Sequence, residues 1–157
     1  MGAVTAAFLL ATVPSVTAAL RYDYGVYLQA LASTVNPSEK ALANLNTGFY
    51  FDNGAFLDVR NLAYLRENGL TFAEYVQSRG IRVILWSDEM AFIYNRRPDY
   101  NALYGNPRAV PEVEAFLREH CTPLGTVDDP GYAGRIVSEI GKPHSVTVYR
   151  VNDPSGL

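Results

Sequence analysis

Hydrophobic positions change their spacing several times along the chain, and each change marks an element. Val83 to Trp86 form an unbroken apolar run that turns polar at Ser87, Asp88 and Glu89. A short β-branched and aromatic run with a polar tip predicts a strand buried on both faces, as in a parallel sheet. Just ahead, Leu70 to Gly80 carries both punctuation marks of a helix. Thr71 is placed to cap the first turn, Glu74 to reach back to it, and Gly80 to take the left-handed exit. Helix, glycine, buried strand and polar tip make half of a βαβ unit.

Elsewhere the same reading yields a series of shorter elements. Val26, Tyr27, Ala30, Leu31 and Thr34 recur at helical spacing between Tyr24 and Val35, and Asn36-Pro37-Ser38 ends that helix. Lys40 to Asn46 predicts a first strand and Phe56 to Val59 a second, with a helical turn or two over Leu62 to Asn68. Met90 to Tyr94 reads as helical, and Asn95 to Pro107 as a long loop. Pro111 to Glu119 predicts a helix with proline in its first turn and acids near its amino end. Thr122 to Asp128 predicts a fourth strand despite Pro123 and Gly125, Asp129-Pro130-Gly131 a turn, and Ser145 to Val151 a final strand near an edge. The expected class is α/β: a Rossmann-like, mostly parallel sheet flanked by helices and preceded by an apolar N-terminal helix. Residues 22–157 make a single soluble domain.

The leading segment changes that picture. Residues 2–20 contain no charged side chain. At about 1.5 Å per residue they nearly reach across a hydrocarbon core of roughly 30 Å. A secretory signal would want a positive start, and a buried soluble helix would have to be hidden on almost every side. The end of a transmembrane helix fits best over residues 1–21, because Arg21, Tyr22 and Tyr24 supply interfacial anchors. The expected contact with a membrane is through residues 3–20.

Composition narrows the function classes. The chain has 157 residues, enough for one core, and its 48% hydrophobic and 18% charged content is that of a folded protein. A net charge of −3 argues against a nucleic-acid surface. One cysteine, Cys121, excludes an internal disulfide, and two histidines far apart make a transition-metal site an unsupported expectation. Asn44 to Gly48 holds one glycine where a dinucleotide fingerprint needs three, and Gly-Lys-Ser/Thr occurs nowhere. No cofactor is expected.

Candidate chemistry gathers where the strands end, since α/β sheets bind ligands beyond the carboxyl ends of their strands. The candidate ligand-binding residues are Asn44, Asn46, Arg60, Asn61, Trp86, Ser87, Asp88 and Glu89. Amides, an arginine and a tryptophan face suit a neutral polyol or sugar. Asp88 or Glu89 as a general base or metal ligand competes with a simpler role, in which Ser87 caps a helix and the two acids complement its dipole. Asp52 and Asp58 read as a turn residue and a surface carboxylate. His120 and Cys121 adjoin at a helix end and are not expected to face each other. His144, in a Lys-Pro-His turn, is expected to be exposed.

The order of elements also resembles a known family. An apolar helix ending in Arg21-Tyr-Asp-Tyr-Gly-Val-Tyr27, the Asn36-Pro-Ser-Glu-Lys40 stop and Gly48-Phe-Tyr-Phe51 are joined by Tyr75 to Leu85 and Val146 to Val151. Together they resemble the soluble tail of GT-C type, mannosyltransferase-like membrane glycosyltransferases that use polyprenyl-phosphate sugars. The resemblance implies a non-catalytic, extracytoplasmic domain that helps engage acceptor or partner. Catalytic acids in that family lie between transmembrane helices, so no position here inherits a catalytic role. The implied partners are the transmembrane portion of the same enzyme and a glycan or lipid-linked sugar. Two alternatives stay open: a free-standing protein binding a sugar or nucleotide, and a small hydrolase using Asp88 or Glu89.

Overall fold

The structure is a computed structural model in which residues 24–96, 109–129 and 144–152 are described. Helix α1 spans Tyr24–Ala32 and leads to strand β1, Ala41–Ala43. After a 3-10 turn at Leu45–Thr47 come β2 (Phe56–Asp58), a second such turn at Val59–Leu62, and α2 (Ala63–Glu67). Then follow α3 (Phe72–Arg79), β3 (Val83–Ser87), α4 (Asp88–Arg96), α5 (Ala109–His120), β4 (Cys121–Asp129) and β5 (His144–Val151).

Five strands form one sheet in the order β2-β1-β3-β5-β4. Only β2, β1 and β3 run parallel; β5 is antiparallel to β3 and β4 is antiparallel to β5. The class is mixed α/β, as expected, but most paired residues are antiparallel and the sheet is not the mostly parallel, Rossmann-like one. Burial on both faces produced that expectation, and burial does not carry strand direction. The final strand is near the edge, as expected, but does not form it. β5 lies between β3 and β4, while β4 forms the rim, where Pro123 and the bulge between Pro123 and Gly125 are tolerated.

The two-residue period of β3 divides the interior. Ile84 and Trp86 face one cluster with Leu42, Phe72, Val76, Val113 and Phe116. Val83 and Leu85 face the other with Tyr27, Leu31, Ala41, Ala43, Val146 and Val148. All five residues of β3 are buried, so helices cover both sides of it: α3 and α5 on one, α1 on the other. Each such aliphatic side chain contributes about 1.5–3 kcal/mol when fully buried.

Local signals set the helix ends. Thr71 accepts from the Glu74 N–H while the Glu74 carboxylate accepts from the Thr71 N–H, at 3.2 and 2.8 Å. Gly80 takes φ 64 and ψ 35 at the other end, a conformation that a Cβ disfavours. Glu112 of α5 accepts from the Phe72 N–H at 2.6 Å, tying the two helices together. Phe72 and Phe116 meet edge to face at 5.0 Å beneath that bond.

The anticipated helix over residues 1–21 lies outside the described residues, as does the loop expected over Asn95 to Pro107 except for Asn95 and Arg96, which continue α4 instead. Among the described residues, no helix is long and apolar enough to cross a membrane.

Arg150, at the end of β5, makes a forked ion pair with Glu39 just ahead of β1, one arm being Nη2 to Oε2 at 3.3 Å. The Arg150 hydrogen bond holds the Glu39 carboxyl below its ordinary 4.5. In that range the folded chain binds fewer protons than the unfolded chain, so the pair's stabilisation is complete above 4.5 and is lost as pH falls through the folded value. Glu39→Gln is therefore expected to cost about 1 kcal/mol at neutral pH. The gap to wild type should narrow as pH falls below 4.5 in urea titrations followed by circular dichroism.

Candidate functional site

Strand direction decides which residues share the site. The carboxyl ends of β1, β2 and β3 lie on the same edge as the start of β5 and the end of β4. Ser87 pairs with Val146, and Asp129 pairs with His144. Asn44, Asn46, Asp88, Asp129 and His144 thereby converge from four distant stretches of sequence.

Two hydrogen-bonded groups make up the cluster. Asp129 is 1% exposed, and its Oδ2 accepts from Asn44 Nδ2 at 3.1 Å and from Asn46 Nδ2 at 3.2 Å. A buried carboxylate is tolerated only where donors replace its lost water, and the two amides do so. Thr47 donates its hydroxyl to the Asn44 carbonyl at 2.6 Å, and Tyr24 donates to the Asn46 carbonyl, fixing the turn after β1. In the second group, Asp88 Oδ1 meets His144 Nδ1 at 2.5 Å and accepts the Ser145 N–H at 3.2 Å. An ionised carboxylate only accepts, so the imidazole proton sits on Nδ1. Nε2 then points elsewhere and finds no partner.

Asp88 has a 43% exposed side chain, whereas that of His144 is 2% exposed. The pair thus runs from a wet lip to a dry floor. The Phe92 ring lies 5.8 Å from the imidazole. From α1, Tyr24 and Tyr27 stand 5.7 Å apart, ring to ring. Burial first, and the Asp129 charge second, raise the pKa of both phenols, so both stay protonated across the physiological range.

The sequence-predicted residues separate into those brought here and those that are not. Asn44, Asn46 and Asp88 belong to the cluster. Ser87 and Glu89 serve the start of α4: the buried Ser87 Oγ accepts the Glu89 N–H at 3.2 Å, and Glu89 is itself buried. Trp86 is not a stacking face for a ligand, because its indole is buried in the core on the α3 and α5 side. Arg60 and Asn61 fall in the turn Val59–Leu62 past β2, and their side chains lie outside what is described. Asp52 sits exposed in the turn that Gly54 closes at φ 81.

His144 was expected to be exposed and is among the most hidden polar residues. Its parity gives the reason: His144 stands two residues before Val146 and four before Val148, on the same buried face. Asp129 likewise shares parity with Val127 at the end of β4. Cys121 is buried, and desolvation pushes its thiol up to about 11. It stays protonated and unreactive near neutrality, while the His120 ring packs, tilted, 5.0 Å from that of Phe116. Among the described residues, no group of three or more histidine, cysteine, aspartate or glutamate side chains is arranged to hold a metal ion.

A shallow concavity of about 680 Å³ opens at the opposite edge, beside Ser33, Asn36, Glu39, Tyr50 and Arg150. Arg150 there is paired with Glu39, and the Tyr50 hydroxyl donates to the Val35 carbonyl. No family model, curated protein or solved structure matches the chain.

Removing the Asp129 carboxylate should leave the Asn44 and Asn46 amides without their acceptor. Asp129→Ala is expected to cost about 2–4 kcal/mol in urea unfolding. Asp129→Asn, which keeps one acceptor oxygen, should cost less. Equal losses for the two would contradict the arrangement.

Proposed function

We propose that the chain is the non-catalytic, extracytoplasmic domain of a membrane glycosyltransferase of the GT-C type, and that the carboxyl edge of its sheet engages acceptor or partner. The uncharged segment 2–20 and the resemblance in element order, from Arg21-Tyr22 to Val146–Val151, support the membrane and family parts of this reading. The observation that carries the non-catalytic part is how the edge uses its acids. Asp129 is committed to two asparagine amides and Asp88 to an imidazole and a backbone N–H. Acids bound in this way hold strands together and shape a surface. The same edge combines buried and half-buried amides and phenols with a wet lip, which suits polar recognition rather than bond cleavage.

The Asp88–His144 pair favours one rival. An imidazole oriented by a carboxylate is the usual form of a general base, so a small hydrolase would use His144 with Asp88 behind it. Assays of the purified chain with polyprenyl-phosphate-linked sugars and with ester and glycoside substrates separate the two. The first reading expects no turnover above buffer. Turnover that disappears in His144→Gln would replace it with the second.

A further inference from the structure

Among the described residues, two buried side-chain atoms lack a hydrogen-bond partner: the Tyr27 hydroxyl and His144 Nε2. Such atoms are rare in native proteins and call for a physical reason. Both belong to the same side of the sheet. The β4–β5 register sets Asp129 beside His144, and Tyr27 packs from α1 into the cluster that holds Val146, two residues past His144 on the same face of β5.

Their chemistry is complementary. With the proton held on Nδ1 by Asp88, Nε2 offers a lone pair, and the phenol offers a proton. Hydroxyl groups are both donors and acceptors, so a ligand that carries them answers both atoms. Asp88 and Asp129 disfavour an anion here, and the Asn44 and Asn46 amides already fill Asp129 Oδ2 where a cation would sit. We propose that the Tyr27 hydroxyl and His144 Nε2 form the floor of a subsite for a neutral hydroxylated ligand, a sugar or polyol. The rings of Tyr24 and Phe92, both partly exposed, lie 5.7 and 5.8 Å from those of Tyr27 and His144. Their aromatic faces suit the C–H groups of such a ligand. This deepens the reading of the edge as an engagement surface and rests on it.

The test is long-range proton–nitrogen NMR of the imidazole rings in the full chain, titrated with glucose, mannose and glycerol, with inorganic phosphate as the anionic control. The chain has two histidines, and His120 at the far end of β4 serves as the internal reference. A saturable shift of the His144 Nε2 resonance with a sugar or glycerol, and a still His120, is the expected result. Tyr27→Phe should weaken that binding by about tenfold, the loss of one hydrogen bond. It should leave the melting temperature unchanged or raised, because the hydroxyl it removes has no partner in the fold. A silent His144, a stronger response to phosphate, or unaltered affinity in Tyr27→Phe would each overturn the subsite. Failure of the functional reading is seen separately: turnover in a chain whose His144 responds removes that reading and keeps the subsite, and an inactive chain with a silent His144 does the reverse.

Discussion

The antiparallel seam between β3 and β5 is the interaction on which both working edges depend. Its five residue pairs run from Val83–Arg150 to Ser87–Val146. One step past the last pair, Ser145 donates its N–H to Asp88 and His144 reaches the same carboxylate. At the other end, Arg150 is carried beside β1, where Glu39 waits, and the Val151 N–H donates to the Arg82 carbonyl at 3.0 Å. One register thus delivers an ion pair to one edge and a polar site to the other. A slip of a single residue would turn Val146 and Val148 away from the core and lose both.

Burial and polarity divide cleanly around this seam. Below the carboxyl edge, Val83, Leu85, Val146 and Val148 pack against Tyr27 and Leu31. At the edge itself the same face continues into Asp129 and His144, polar but still hidden. Low-dielectric surroundings make each hydrogen bond there stronger and each missing one costlier. That is why a paired Asp129 stabilises the fold, and why unpaired atoms on Tyr27 and His144 point to a ligand rather than to packing.

Much of this was legible in the chain, and the rest was hidden for definite reasons. The capped helix at Thr71 and Gly80 was readable because capping acts over three or four residues. The buried run at β3 was readable because hydrophobicity is local. Strand direction was not, since it depends on β5 returning beside β3 from some sixty residues away, and no local pattern encodes that return. The same gap kept His144 from being recognised. Lysine and proline before it suggested an exposed turn, although counting back by twos from Val148 through Val146 would have placed it inside. Asn44, Asn46 and Asp88 were found from the rule that ligands gather past strand ends. Asp129, which joins the two asparagines, was mistaken for part of a turn because it precedes Pro130-Gly131.

Whether the seam joins Asp88 to His144 as described can be measured with a double-mutant cycle. Asp88→Ala, His144→Ala and the double variant would be unfolded in urea at neutral pH, with the coupling taken as the departure from additivity. A coupling of about 1–3 kcal/mol is predicted for a carboxylate and an imidazole in direct contact. Losses that add to within about 0.5 kcal/mol, as for residues far apart, would contradict the register and the site built on it.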